Sequence, residues 1–150
     1  MLVWEVACIN RYDGNKDKKG WSYDQPFLFC LWEGDMIQIE EYRFGYIKIS
    51  GKIYTNDLKI IGNTVIPNWW RSEGHKVSKK DIKDILEHGV EIIIIGQGDP
   101  GLMKVDPSLK NYLKKQKIEL IEKPTKDAIS EFNKLYKEGR KVGAGFHLTC

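Results

Sequence analysis

A tryptophan-rich segment is the first place where the residue types could support chemistry. Trp69, Trp70, Arg71 and His75 lie close together after Pro67. Tryptophan and arginine are favoured in interaction hot spots, and histidine titrates near neutral pH. The segment could therefore anchor a partner, or it could form an aromatic wall beside a cation and a base. The alternative is a loop that caps the core, with one indole buried and Arg71 paired with a carboxylate.

A glycine-rich segment, Gly96–Gly101, is the second candidate. Its sequence, Gly-Gln-Gly-Asp-Pro-Gly, follows an apolar run and formally matches G-x-G-x-x-G, with Glu122 further along the chain. In dinucleotide-binding folds the third glycine opens a helix whose N–H groups meet the pyrophosphate. Here Pro107 predicts a helix start several residues later, which favours a plain glycine turn at the carboxyl end of a strand. Such a turn can still line a ligand crevice.

The histidine and cysteine near the end of the chain are a weaker candidate. A strand over Val142–Leu148 would place His147 and Cys150 on opposite faces, so the histidine is poorly aimed to activate the thiol. A packed terminal strand is the favoured interpretation, and we predict no catalytic residue. The other cysteines, Cys8 and Cys30, form no C-x-x-C pair. We therefore predict no metal site, no disulfide framework and no cofactor.

Composition narrows the possible partners. The chain has 150 residues, of which 41% are hydrophobic and 30% charged, and its net charge is only +3. These values predict one globular domain with a buried core. No apolar run approaches the roughly 20 residues of a membrane span, and no export signal is visible. The lysines of the last two predicted helices lack interleaved aromatic residues that would stack on bases. We therefore expect a cytoplasmic protein that binds neither membrane nor nucleic acid.

Residues 1–35 differ from the rest of the chain. They contain three of the five tryptophans and two of the three cysteines, without the periodicity of a helix or strand. We interpret them as an N-terminal extension to a domain spanning 36–150. One hypothesis is that Met36 is the natural start. The alternative is an extra hairpin, built from Leu2–Ile9 and Pro26–Trp32, that covers one edge of a sheet.

From Met36 onward the sequence predicts alternating elements. Short strands come first and include a hairpin around Gly62-Asn63, and helices then alternate with strands. The predicted strands are 37–41, 46–50, 52–54, 57–61, 64–66, 90–95, 118–121 and 142–148. Helices are predicted after caps at Ser78, Asp106 and Thr125, and they end near Gly89, Gln116 and Gly139. This order predicts a mixed sheet with helices packed on it.

Several motifs in 36–150 resemble the adipogenesis-associated Mth-domain family. The motifs are Gly51-x-x-Tyr54-x-x-Asp57, Trp70-Arg71-x-x-Gly74-His75, Glu91-Ile92-Ile93-Ile94-Ile95-Gly96-x-Gly98, Pro124-Thr125-x-x-Ala128, Asn133 and His147-Leu148-Thr149-Cys150. The resemblance implies a three-layer α/β fold with a central mixed sheet, about three helices and an additional hairpin region. It supplies no agreed catalytic residues. One eukaryotic relative is associated with adipocyte differentiation, and a distant mitochondrial one assists assembly of respiratory complex I.

Together these observations favour a protein-binding or assembly-assisting domain over an enzyme. The candidate crevice lies at the carboxyl end of the strand over 90–95, and its residues are Trp70, Arg71, His75, Gly96, Gln97 and Gly98. Arg71 would hold an anion or carboxylate, the glycines would offer N–H groups, and Trp70 would supply apolar contact. The expected partner is another protein, bound by a monomer or weak dimer. The alternative is a small-molecule or nucleotide site in the Gly96–Gly101 loop.

Overall fold

A central five-stranded mixed sheet organises residues 36–150, the part of the chain that the computed structural model describes. The strands are β1 (Ile39–Arg43), β2 (Tyr46–Ile49), β3 (Lys52–Tyr54), β4 (Leu58–Ile61), β5 (Thr64–Pro67), β6 (Lys76–Val77), β7 (Ile92–Gly96), β8 (Lys104–Val105), β9 (Glu119–Lys123) and β10 (Val142–Phe146). A 3₁₀ turn (Lys79–Ile82) leads into α1 (Lys83–Glu87), and α2 (Pro107–Lys115) and α3 (Thr125–Lys137) follow. The hairpin and the start site hypothesised for residues 1–35 lie outside the described residues.

The strand order of the central sheet is β9-β7-β10-β4-β5. Strand β7 is parallel to both β9 and β10, whereas β10 pairs antiparallel with β4, and β4 with β5. A separate antiparallel sheet contains β1, β2 and β3, and the short strands β6 and β8 pair in parallel. The mixed sheet and the additional hairpin region predicted from the sequence are therefore both present.

Apolar side chains cover both faces of the central sheet. On one face Ile92 and Ile94 pack in a cluster with α3 and the β1–β2 hairpin. On the other face Ile93 and Ile95 pack in a second cluster with α1 and α2. Side chains alternate between the faces of a strand, so a strand buried on both faces needs a continuous apolar run. This requirement explains the run of isoleucines and produces the three-layer arrangement.

The helix boundaries follow their caps with one exception. Asp106 caps α2, since its side chain accepts a hydrogen bond of 3.1 Å from the Ser108 N–H. Asp81 accepts a bond of 2.8 Å from the Ser78 N–H, as in a capping box. Thr125, predicted to be a cap, is instead the first residue of α3. That prediction was wrong because the Thr125 hydroxyl bonds to other parts of the chain.

The last strand is shorter than predicted. Strand β10 ends at Phe146, whereas the sequence predicted a strand as far as Leu148. The backbone leaves the sheet because the Leu148 N–H donates to the Asp57 side chain at 2.9 Å. The Leu148 carbonyl accepts from the Gly45 N–H at 2.8 Å and from the Tyr42 hydroxyl at 3.1 Å. The segment after β10 is therefore held by groups outside the ladder.

Among residues 36–150, no helix is both long enough and apolar enough to span a bilayer.

Candidate functional site

The carboxylate of Asp57 is the centre of a buried polar cluster. Its Oδ2 accepts a hydrogen bond of 2.7 Å from Arg71 Nη2 and lies 2.7 Å from Nδ1 of His147. Its Oδ1 accepts from the Leu148 N–H. Arg71 Nη2 also lies 3.3 Å from His147 Nδ1, so the three side chains contact one another. We call Asp57, Arg71 and His147 the Asp57 cluster.

Sheet register brings the Asp57 cluster together. Phe146 of β10 pairs with Leu58 of β4 in the antiparallel ladder. Asp57 directly precedes Leu58 and His147 directly follows Phe146, so the two side chains meet just beyond the end of the ladder. Arg71 arrives from the loop after β5, which pairs with β4 on its other side. Three separate segments of the chain therefore contribute one side chain each.

The indole of Trp69 fixes the position of Arg71. The guanidinium carbon of Arg71 lies 4.6 Å from the ring centroid of Trp69, and Nε and Nη2 of Arg71 donate to the Gly74 carbonyl at 3.2 and 3.0 Å. Trp69 Nε1 donates to the Asp81 carbonyl at 3.0 Å. Both Trp69 and Arg71 are buried. One buried indole and an arginine paired with a carboxylate are the features of the core-capping alternative.

Two opposing effects act on the ionisation of Asp57. Burial disfavours the charged form, but hydrogen bonds from His147, the Leu148 N–H and Arg71 stabilise it. The hydrogen bonds prevail and hold the pKa of this carboxyl below its ordinary value of 3.8. Asp57 is therefore ionised at neutral pH and balances the charge of Arg71.

The hydroxyl of Thr125 joins the glycine loop to the segment after β10. It accepts a hydrogen bond of 2.8 Å from the Gly98 N–H and donates one of 2.6 Å to the His147 carbonyl. A Cβ on Gly98 would lie 2.2 Å from the Thr149 carbonyl oxygen and 2.8 Å from Cδ2 of His147. The φ of Gly98 is also +92°, in the region that favours glycine. Only glycine fits this close approach between the two segments.

Three N–H groups of the glycine loop, those of Gln97, Gly98 and Asp99, have partners inside the protein. The Gln97 N–H donates to the Lys123 carbonyl at 2.8 Å, and the Asp99 N–H donates to the Thr149 carbonyl at 3.0 Å. The Gly98 N–H donates to Thr125. After the loop the chain enters β8, and α2 begins only at Pro107, where the sequence predicted it. A phosphate cradle requires free N–H groups at a helix start. The loop therefore lacks the geometry of a dinucleotide fingerprint.

The six residues of the candidate crevice fall into two groups. Trp70 and His75 are exposed, and Trp70 retains 79% of its accessible surface. The four buried residues are Arg71, Gly96, Gln97 and Gly98. Gln97 Nε2 donates to Glu122 at 3.3 Å.

Four of the six meet at His147, a residue outside the predicted crevice. Arg71 and Gly98 contact its ring, and the Gly96 carbonyl accepts from its N–H at 3.0 Å. The ring of His75 lies edge-on to the ring of His147, with centroids 5.8 Å apart. The structure thus brings these four together around a buried histidine.

Sequence reasoning missed the roles of Asp57, Thr125 and His147. Each of the three occurs in a motif that carries the family resemblance, and this was the signal that could have found them. No local pattern pairs residues about 90 positions apart, as the bond between Leu148 and Asp57 requires. Within residues 36–150, no group of three or more His, Cys, Asp or Glu side chains is arranged to hold a metal ion.

Comparison with known proteins first defines the class of fold. The chain is similar to a conserved hypothetical protein of Pyrococcus horikoshii, with 27% sequence identity and a TM-score of 0.64 over 75% of this chain and 99% of the relative. It is similar to a protein named MT938, with 26% identity and a TM-score of 0.63 over 77% of this chain and 100% of that one. A Bordetella pertussis protein described as a Mth938-like domain has 15% identity and a TM-score of 0.54, with 74% of this chain and 85% of that one covered. The fold is therefore that of a Mth938-like α/β domain.

A family model described as a protein of unknown function (DUF498/DUF598) matches residues 39–147. The match covers well over half of the chain, so the chain belongs to the DUF498 family. The resemblance to Mth-domain proteins noted from the sequence is confirmed. No catalytic or binding role is established for this family.

Proposed function

We propose that this domain is a cytoplasmic protein-binding or assembly-assisting module whose docking surface is centred on Trp70. The observation that carries the proposal is the exposure of Trp70. Its side chain is 79% exposed, whereas the flanking Trp69 and Arg71 are 6% and 8% exposed. Exposed tryptophans are preferred anchors because they bury a large area on binding at a small cost in conformational entropy.

The buried neighbours hold Trp70 at a defined place. Trp69 is fixed by its indole bond to Asp81 and by its N–H, which donates to the Asp57 carbonyl at 2.8 Å. Arg71 is fixed by Asp57 and Gly74. Because both neighbours are anchored, little backbone freedom is lost when a partner covers the indole between them. A preorganised anchor of this kind supports affinity.

A second exposed apolar side chain lies on a neighbouring loop. Leu102 is 53% exposed. It lies two residues before Lys104, whose N–H donates to the His75 carbonyl at 2.9 Å. The loops that carry Trp70 and Leu102 are thus joined where β6 pairs with β8. Two apolar side chains on joined loops support a protein partner better than a nucleotide, since three N–H groups of the glycine loop are already engaged.

The proposal is tested by comparing Trp70→Ala with a matched variant. Phe44→Ala is the control, because Phe44 is also an exposed aromatic side chain, at 60%, on a different part of the surface. Wild type and both variants are used to capture proteins from a lysate of the host. A protein that the wild type and Phe44→Ala retain, and Trp70→Ala loses, is then purified and titrated directly.

We expect Trp70→Ala to weaken the direct binding by about 30-fold or more, the effect of a hot-spot residue worth about 2 kcal/mol. Its melting temperature should match that of the wild type, since an exposed side chain contributes little to folding. Equal binding by Trp70→Ala and the wild type would refute the docking surface. A ligand-induced rise in melting temperature with a nucleotide, and no protein partner, would favour the small-molecule alternative.

A further inference from the structure

Two nitrogen atoms of the Asp57 cluster have no hydrogen-bond partner within residues 36–150. They are Nη1 of Arg71 and Nε2 of His147, and both atoms are buried. The residues that carry them are only 8% and 7% exposed. Folded proteins leave few buried polar side-chain atoms unpaired, because each one loses its bonds to water without replacement. Two such atoms in contacting side chains indicate a place for a ligand.

The hydrogen-bond pattern determines what His147 offers to that ligand. The ionised carboxylate of Asp57 can only accept hydrogen bonds, so Nδ1 of His147, 2.7 Å away, carries a hydrogen. In the neutral ring Nε2 then has a free lone pair. His147 Nε2 is therefore a proton acceptor that is oriented by Asp57.

Arg71 offers the complementary group. Its guanidinium is always charged, and Nη1 has two N–H donors that no described group uses. The Nη2 atom of the same guanidinium lies 3.3 Å from Nδ1 of His147. A cationic donor and a basic nitrogen thus belong to side chains in direct contact. The Arg71 guanidinium can bind an oxyanion, and Nε2 of His147 can accept a proton.

Charge balance selects the chemical class of the ligand. The charges of Asp57 and Arg71 cancel, so binding of an anion alone would leave a buried net charge. An acid brings its own proton: the O–H bond breaks, the proton moves to Nε2, and the resulting carboxylate accepts hydrogen bonds from Arg71 and His147. We propose that Nη1 of Arg71 and Nε2 of His147 form a binding site for a small carboxylic acid, taken up as a carboxylate with one proton on His147. The proposal does not rest on the docking surface at Trp70.

Few other titratable groups lie near His147. His75, an exposed residue, packs edge-on against its ring, with the ring centroids 5.8 Å apart. The Tyr42 hydroxyl donates to the Leu148 carbonyl, and the backbone N–H of Asp99, not its carboxylate, donates to the Thr149 carbonyl. Asp57 and Arg71 are the charged groups in direct contact.

The test uses the full chain labelled with ¹⁵N in its histidine rings and titrated with sodium acetate. The chain has three histidines, and His88, which is exposed and distant from the Asp57 cluster, is an internal reference. Before acetate is added, we expect the hydrogen of His147 to reside on Nδ1. Binding of acetate should then be accompanied by uptake of one proton at Nε2 of His147, while His88 should be unchanged. Because one proton is taken up with each acetate, Kd should rise about tenfold per pH unit where free His147 is neutral and acetate is ionised.

Variants sharpen the test. Arg71→Lys keeps the positive charge but loses the planar fork, and it should weaken acetate binding tenfold or more. His88→Gln should bind as the wild type does. If Arg71→Lys fails to fold, the wild-type titration decides. The proposal is overturned if free His147 carries its hydrogen on Nε2, if all three histidines respond alike, or if the affinity for acetate does not depend on pH.

Discussion

Two arginine–carboxylate pairs lie at opposite ends of the same parallel strands, and their surroundings differ. Arg71 and Asp57 meet beyond the carboxyl end of β10 at 2.7 Å, with side chains only 5% and 17% exposed. Arg140 and Glu91 meet before the amino ends of β10 and β7 at 2.9 Å, with side chains 43% and 47% exposed. The distances are nearly equal, so burial and the additional partners distinguish the pairs.

The two ends of the sheet have correspondingly different architecture. At the amino end an open cleft of about 370 Å³ is lined by residues that include His88, Tyr136 and Arg140. At the carboxyl end the Asp57 cluster is covered by Trp69 and by the segment after β10. Water screens the first pair and not the second. Loss of the carboxylate from an arginine–carboxylate pair should therefore be costly at the carboxyl end of the sheet and cost little at the amino end.

The largest expected effect on stability comes from replacing the carboxylate of each pair with an amide. Asp57→Asn leaves the buried charge of Arg71 without a counter-charge, so it should lower the free energy of unfolding at pH 7 by about 3–5 kcal/mol. Glu91→Gln should leave the melting temperature nearly unchanged. Denaturant unfolding of both variants measures the difference. Similar losses in the two variants would show that burial does not separate the pairs.

The pH dependence of this difference follows from the direction of the pKa shift. The pKa of Asp57 is lowered in the folded protein, so its contribution to stability is present above the ordinary value of 3.8 and is lost as the pH falls through the folded pKa. The difference in the free energy of unfolding between wild type and Asp57→Asn should therefore narrow below pH 3.8. Hydrogen bonds from Arg140 and the Lys141 N–H also lower the pKa of Glu91. That pair is exposed, so added salt should weaken it.

A second pair of variants separates backbone strain from close packing. Gly98 and Gly51 both have positive φ, +92° and +84°, but a Cβ on Gly51 would meet nothing within 4 Å. Gly51→Ala should cost about 1–2 kcal/mol of stability through strain alone. Gly98→Ala should cost about 1–3 kcal/mol more, because the new methyl group meets the Thr149 carbonyl and the His147 ring. Equal losses in thermal unfolding would mean that the segment after β10 moves aside freely.

The smallest expected effects on stability come from removing a single hydroxyl at each end of the central sheet. Thr125→Val removes the bonds to the Gly98 N–H and the His147 carbonyl in a buried place, at a cost of about 1–3 kcal/mol. Thr125→Ser should retain most of the stability. At the open end Tyr136→Phe removes bonds to Asn63 and to the Ile37 N–H. We expect a loss below about 1 kcal/mol there, since water can replace the bonds. A larger loss of stability in Tyr136→Phe than in Thr125→Val would contradict the expected difference between the two ends of the sheet.

Much of the fold could be predicted because it depends on local patterns. The isoleucine run of β7, the Gly62-Asn63 turn and the Asp106 cap each act within a few residues, and each prediction is confirmed. The predictions for the end of β10 and the cap of α3 were wrong for the same reason. In both places a side chain, Asp57 or Thr125, bonds to backbone far away in sequence, and no local pattern encodes that partner.

The candidate site shows the same limit. The sequence pattern indicated two candidate segments, one with Trp70 and Arg71 and the other the glycine loop, and the residues within each segment are close in sequence. The Asp57 cluster is assembled by the register of β4 and β10, so its members could be joined only once the ladder was known. Burial also could not be assigned from type alone, since Trp69 and Trp70 are adjacent and have opposite environments.

The position of β10 has a consequence for how the chain folds during synthesis. In the central sheet β10 lies between β7 and β4, yet it leaves the ribosome after both of them. Until it emerges, the β4–β5 hairpin and the β7–β9 pair each present an unpaired edge. Folding during translation can therefore prepare two half-sheets but cannot join them, and the joining step depends on contacts of high sequence separation. A nascent chain stalled before Val142 should need a chaperone, and release of the following residues should complete the fold in one cooperative step.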